Sequence, residues 1–294
     1  MDSKNKIDRS GQVAVVLGGS GGLGLGLARR FGDDGAQVVL ADISALALDA
    51  ATQQLAAEGL EVLAVQTDIG IAEEVDTLAQ TTLEKYGRVD VVCNAVGVSG
   101  HEQRPIWEMT ERDWSWHFDV NVWGVLNVIR TFAPVLVAVD RGHIINTASS
   151  ITFSSRGGYA PYDSSKHAVI SLCESLHHDL TTLGSAVKAS VLIPGAIRSK
   201  MYESELNRQA QYGKGATTGE QRAVMQAYLE EYGADPDVLA EILDAQLAEG
   251  KFYVFGRAED IHYAELRLAE VQSGFLGSSS FLRVSGPGSA KSDQ

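Results

Sequence analysis

The 294-residue chain has only two cysteines, Cys93 and Cys173. That is too few for a disulfide-held scaffold and fits a reducing compartment; Cys93 falls in a short apolar run and reads as a core residue rather than a reactive one. Cations are also scarce. Lys and Arg number 24 against 38 Asp and Glu, for a formal net charge of −14, and a surface of that sign repels phosphate backbones, so no nucleic-acid partner is expected. No uninterrupted apolar run approaches the roughly 20 residues of a bilayer span, and the start, Met1-Asp2-Ser3-Lys4, lacks the apolar core of a signal peptide. A cytoplasmic protein without a membrane partner is expected. Nor do the seven histidines show metal-ligand spacing: His177 and His178 are adjacent and point different ways on a helix, although Cys173 and Glu174 lie a turn before them. No metal site is expected.

What the chain does have is glycine, concentrated after a strand. Gln12 to Leu17 is a short β-branched run that reads as buried; Gly18, Gly19, Gly21, Gly22, Gly24 and Gly26 follow it and pass into the helical periodicity of Leu23, Leu27, Ala28 and Phe31. Without Cβ atoms the backbone can turn tightly and bring N–H groups, here from residues such as Ser20 and Leu23, against a pyrophosphate at the positive end of the helix. This is a dinucleotide-binding arrangement. The glycines are dense enough to fit three registers, so their spacing alone does not choose among them. The next strand, Gln37-Val38-Val39-Leu40-Ala41, ends at Asp42, eighteen residues past Gly24, where the ribose of a dinucleotide should lie. A carboxylate there accepts from both ribose hydroxyls and repels a 2′-phosphate; Ile43 and Ser44 follow, with no cation, so NAD is expected over NADP. Asp42 could instead cap the helix that begins near Ser44, a role Ser44 can fill itself.

Further on, Tyr162 and Lys166 stand four apart, with Ser149 thirteen residues upstream of Tyr162. Residues i and i+4 share a helix face, so the ammonium can favour ionisation of the phenol and make a usable base from a group with an ordinary pKa of about 10. Ser150 competes for the Ser149 role. Tyr159 has Asp163, not a lysine, four residues on and reads as a pocket or packing residue.

With these pieces in register the chain resembles the short-chain dehydrogenase/reductase family, in its compact branch, from about Gly11 to Gly256. The family's first-turn pattern falls on Leu17, Gly18, Gly22 and Gly24, and settles the register. The resemblance assigns the adenine-holding Asp to Asp68, followed by Ile69, and the Asn-Asn-Ala-Gly element to Asn94, Ala95, Val96 and Gly97. It places the catalytic Asn at Asn121, the catalytic Ser, Tyr and Lys at Ser149, Tyr162 and Lys166, and the turn beside the nicotinamide at Pro194 and Gly195. Ile197 and Ser199 complete the cofactor-facing set, Ser199 standing where the family has Thr. The implied roles are a proton shuttle at Tyr162, polarisation of the substrate oxygen by Ser149, ribose contact and a lowered phenol pKa from Lys166, and a water held by Asn121. Leu17, Ala95 and Val96 depart from the pattern at two places the family couples, which implies a local exchange of polar for apolar contacts.

The expected architecture is a single doubly wound Rossmann-type domain, three-layer α/β/α, over 11–284, with a helical substrate lid at about 196–250 and loose termini at 1–10 and 285–294. Met201, Tyr202, Leu206, Tyr212, Met225, Tyr228 and Tyr232, with His101, Trp107, Ile151 and Phe153, suggest a roomy, partly aromatic pocket. The stretch from Pro194 to Ser204, then Asn207-Arg208, is similar to the aryl-ether Cα-dehydrogenases of the family, as is Asp113-Trp114-Ser115-Trp116. That resemblance implies interconversion of a bulky hydrophobic or aromatic, benzylic, secondary alcohol and its ketone, with an alicyclic, terpenoid or steroid alcohol as the second reading. A non-catalytic NAD-binding regulator would be expected to lose Tyr162 or Lys166, and a sugar-nucleotide epimerase needs a larger C-terminal domain than the residues after Pro194 provide. Most members of the family are tetramers, so a homo-oligomer, tetramer or dimer, is implied, joined through helices at about Trp114–Val137 and Tyr159–Leu183, with Ser273–Val284 as a further packing segment.

Overall fold

The computed structural model describes residues 7–100, 104–215 and 217–275. Strands that are buried on both faces must be apolar along their whole length rather than alternating, and β1 (Val13–Leu17) meets that condition at all five positions. Its neighbours β2 (Gln37–Asp42), β3 (Val62–Gln66), β4 (Val91–Asn94), β5 (His143–Thr147), β6 (Lys188–Ile193) and β7 (Tyr253–Phe255) complete a sheet in the order β3-β2-β1-β4-β5-β6-β7, with every pairing parallel. The fold is the expected doubly wound α/β type.

Helices cover both faces. On one side α1 (Gly22–Asp33), α2 (Ala45–Ala57) and α8 (Pro236–Ala248) bury Leu27, Phe31, Leu55, Leu239 and Leu243 against Val16, Val38 and Leu40. On the other, α3 (Ala72–Tyr86), α4 (Glu111–Phe118), α5 (Gly124–Ala138) and α6 (Ala160–Thr182) bury Leu78, Trp116, Phe132, Leu136 and Leu180 against Val15, Val39 and Ile144. The other two helices, α7 (Gly219–Tyr232) and α9 (Ile261–Ser273), contribute no residue to either of these clusters.

Three expectations change. The lid expected over about 196–250 divides, because α8 belongs to the sheet layer: Gly26 of α1 approaches it so closely that a Cβ there would lie 2.6 Å from the Pro236 carbonyl oxygen. The cover is therefore the stretch before α8. The start of the chain, expected to be loose to Ser10, is tied down at Arg9, whose guanidinium is buried against Asp34 and Asp244; Arg30 adds a 3.0 Å contact to Asp244. Finally, α4, a π-helical turn (Asp119–Trp123) and α5 run on as one helix, Glu111–Ala138, long and apolar enough to cross a bilayer by length and composition, with a mean hydropathy of 1.5 over its most apolar window. No uninterrupted apolar run had signalled this, because charged and polar residues punctuate the helix; 44% of that window is buried in the core.

Ser44 caps α2, its hydroxyl accepting from the Ala47 N–H at 3.3 Å, which leaves Asp42 outside that role. The expected segments 1–6, His101 and 285–294 lie outside the described residues, as does the part of Ser273–Val284 beyond Phe275.

Removing one partner from a buried ion cluster strands the others' charge. Asp244→Ala is expected to lower unfolding free energy by about 3 kcal/mol, read by denaturant titration; a change within error of zero would show that Arg9 and Arg30 are sufficiently served by Asp34.

Candidate active site

The order of the strands reverses between β1 and β4, and beyond the C-terminal ends of such a pair lies a crevice. Here it is a cleft of about 2370 Å³ that runs from Asp42 and Asp68 at one end to Ser149, Tyr162 and Tyr202 at the other.

At the first end the glycines are required by space. Gly18, with φ of +73°, would carry a Cβ 3.0 Å from the Ala95 carbonyl carbon and the Val96 nitrogen; a Cβ on Gly24 would meet the Gly18 carbonyl oxygen at 2.1 Å. Gly22 opens α1 and packs against Ser199. Leu17, fully buried, accepts the Ala95 N–H at 2.9 Å through its backbone, and Val96 packs on the same core cluster, as expected of an apolar repacking. Asp42 receives the Ser20 hydroxyl and, at 3.1 Å, the Ser44 N–H. Ile43, Ser44, Leu46 and Ala47, which follow it in sequence, line the same cleft and carry no cation themselves. Asp68 accepts from the Gly70 N–H at 2.9 Å and from the Gln209 amide at 2.6 Å.

At the second end, α6 begins just before Tyr162, so Tyr162 and Lys166 lie one turn apart on one face, both buried. Ser149, at the end of the β5 loop, hydrogen-bonds the Tyr162 phenol. Lys166 donates to the Thr147 carbonyl at 2.9 Å, and burial lowers its ammonium to about 8. The expectation that Lys166 lowers the phenol pKa is not met in this arrangement. Burial raises Tyr162 above its ordinary value, and the opposing influences are the Ser149 hydrogen bond and the charge of Arg156.

Most of the expected site residues line the cleft: Gly18, Ser20, Gly22, Leu23, Gly24, Asp42, Ile43, Asp68, Ile69, Ala95, Val96, Ser149, Tyr162, Lys166, Pro194, Gly195, Ile197 and Ser199. Two do not. Asn94 is buried behind the strand ends, where its amide donates to Asn146 at 3.2 Å and its side-chain oxygen receives the Val96 N–H at 3.1 Å; it shapes the turn. Asn121, within the π-helical turn, donates to the Val98 carbonyl at 3.0 Å and the Ser165 hydroxyl at 2.9 Å and accepts the Val98 N–H at 2.9 Å, so its side chain pins the loop after β4 to α6. Of the expected pocket residues, Met201, Tyr202, Leu206, Met225, Tyr228 and Ile151 line the cleft. Tyr212 instead bonds Asp119 at 2.8 Å, Phe153 stacks on Phe255, and Tyr232 and Trp107 are exposed. Tyr159 lines the cleft under the Arg156 guanidinium, which sits 4.0 Å above its ring and pairs with Asp163 at 2.8 Å.

Arg156 and Gln209 belong to the cleft and were not anticipated. Neither sits in a spaced motif, and Gln209 reaches Asp68 across 141 residues of sequence, a meeting that only the folded chain creates.

A glycine turn opening a helix at one end of a switch-point crevice and a buried phenol at the other are the arrangement an oxidoreductase using a nicotinamide dinucleotide requires, and this chain is of that class. It belongs to the short chain dehydrogenase family, whose model matches residues 12–210. It is 37% identical over 262 residues to the 1-deoxy-11-beta-hydroxypentalenate dehydrogenase of Streptomyces arenae, covering 88% of this chain and 86% of that one. To the C alpha-dehydrogenase of Sphingobium sp. strain SYK-6 it is 30% identical over 263 residues, covering 88% and 83%. Among solved structures it is similar to a short chain dehydrogenase/reductase from Burkholderia phymatum in complex with NAD, with a TM-score of 0.85 and 31% identity over 92% of this chain and 97% of that one.

Proposed function

We propose that the protein interconverts a bulky, hydrophobic secondary alcohol and its ketone with NAD, and the observation that carries the reading is the meeting of Ser149, Tyr162 and Lys166 in the cleft that also contains Asp42. The residues fit the cofactor. The glycine turn would take the pyrophosphate at the start of α1, Asp42 the adenosine ribose, Asp68 the adenine, and Lys166 the nicotinamide ribose. NAD is favoured over NADP because a 2′-phosphate would meet the Asp42 carboxylate, and neither Ile43 nor Ser44, the next two residues, offers it a cation. When bound, the nicotinamide ring gives or takes the hydride. The protein's part is the proton and the alignment: Tyr162 gives its phenolic proton to the ketone oxygen or takes one from the alcohol, while the Ser149 hydroxyl orients that oxygen.

Two substrate classes follow. The benzylic reading rests on the similarity to the C alpha-dehydrogenase, and on the aromatic wall of Tyr159, Tyr202 and Tyr228. The alicyclic, terpenoid reading rests on the more similar pentalenate enzyme and on the aliphatic contribution of Ile151, Met201, Leu206 and Met225; we place it first. A homo-oligomer joined along α5 and α6 is also proposed, for which the exposed Trp123 beside α5 is a suitable contact. A panel of benzylic and alicyclic alcohols, followed by NADH formation, separates the two classes; no turnover on either despite NAD binding would refute both.

Tyr162→Phe is expected to reduce turnover at least a thousandfold, on the order of what an essential general acid–base group supplies, with NADH binding by fluorescence nearly unchanged; turnover at the wild-type rate would remove Tyr162 from the mechanism. Asp42→Ala is expected to narrow the preference for NAD over NADP in kcat/KM, and an unchanged ratio would place ribose recognition elsewhere. Since burial raises the phenol above its ordinary value and keeps it protonated at neutral pH, alcohol oxidation should quicken as pH rises towards the range where the phenolate grows in, while ketone reduction declines. Identical profiles in the two directions would contradict this.

A further inference from the structure

We propose that Gln209 is a second recognition residue for the adenine ring, reading its exocyclic amino group beside Asp68, and that this contact holds the substrate cover closed when the dinucleotide is bound. The inference rests on the cofactor reading above, in which Asp68 faces the adenine.

Gln209 belongs to the cover between two short 3₁₀ turns, Met201–Asn207 and Ala210–Tyr212, and it lines the cleft. Its Nε2 donates to Asp68 Oδ2 at 2.6 Å. A carboxylate can only accept, so this pairing fixes which way the amide points. The other end of the amide, Oε1, is then left buried without a hydrogen-bond partner. An orphaned buried acceptor is costly, typically about 1–3 kcal/mol, and a ligand that supplies the missing donor recovers that cost. Asp68 and Gln209 together offer two acceptors, Oδ2 with a remaining lone pair and Oε1 with both. The adenine amino group carries two N–H donors, and with Nε2 held by Asp68, Gln209 meets that group through Oε1 alone rather than in the two-point mode of a free amide.

The same segment is fastened on both flanks of Gln209. Arg208 pairs with Asp113 at 2.8 Å, donates to the Tyr212 carbonyl at 2.9 Å and lies over the Trp116 ring at 4.8 Å; the Tyr212 hydroxyl donates to Asp119 at 2.8 Å. A contact made at Gln209 therefore acts on a short stretch whose neighbours are already anchored to the helix Glu111–Ala138. Met201, Tyr202 and Leu206, which line the substrate end, belong to the turn just before it. Occupancy of the adenine end is thereby linked to the position of the substrate wall.

The test uses the full chain and two variants, Gln209→Ala and Gln209→Met, the second keeping the bulk of the side chain without its amide. Binding of NADH and of the reduced nicotinamide hypoxanthine dinucleotide, which has a carbonyl oxygen in place of the amino group, is measured by fluorescence titration. The wild type should prefer the adenine form, and both variants should lose roughly fivefold of that preference, the worth of about one hydrogen bond. In limited proteolysis, ADP-ribose should protect the cover segment 201–212 in the wild type and protect it less in Gln209→Met. An unchanged adenine preference in both variants, or equal protection in Gln209→Met and wild type, would overturn the inference. A wild type that binds neither dinucleotide would overturn the cofactor reading and this inference with it.

Discussion

The cleft exists because of one topological constraint, the reversal of strand order between β1 and β4. Connections from β1 lead to one side of the sheet and those from β4 to the other, so no crossover closes the space beyond their C-terminal ends. The cofactor and substrate positions lie where strands end and open onto that space: the glycine turn after β1, Asp42 at the end of β2, Asp68 after β3, Ser149 after β5 and Pro194 after β6. The parallel sheet can hold these loops rigidly because it is buried on both faces, and the interior of β1 leaves no polar group to be satisfied except by its neighbours.

Within this frame the chemistry is set by burial as much as by charge. Lys166 is a buried cation whose bond to the Thr147 carbonyl compensates only part of its desolvation, and Tyr162 is a buried phenol that resists ionisation. The charge nearest to easing that resistance is Arg156, itself tied to Asp163, the residue next to Tyr162. The Tyr162 end of the cleft is thus balanced between low polarity, which holds the phenol neutral, and a cation supplied by the loop that precedes α6.

The parts of this arrangement that were legible in the sequence share a feature: each is local. A glycine turn between a strand and a helix, an acid at a strand end and a Tyr-x-x-x-Lys spacing are fixed by the geometry of a few neighbouring residues. Ser44 could be read as a helix cap for the same reason. The failures are long-range or energetic. Nothing near Arg9 announces that Asp34 and Asp244 will bury it, and Pro236–Ala248 looks like any amphipathic helix after a loop until α1 is seen to need it. Asn94 and Asn121 fall on family positions, yet their side chains turn inward to hold the strand ends and the loop after β4. The sign of the Tyr162 shift depends on how much water the fold removes, which spacing does not encode.

The packing of α8 against α1 also imposes an order on assembly. The glycine turn and the helix it opens are synthesised well before α8, but the surface that Gly26 exposes is made to fit a backbone more than two hundred residues later. Until Pro236–Ala248 has been made, α1 lacks one of its walls, and Arg9 and Arg30 lack Asp244. A nascent chain thus carries its glycine turn long before the wall that backs α1 has been made, and the turn gains that support only once α8 has folded against it.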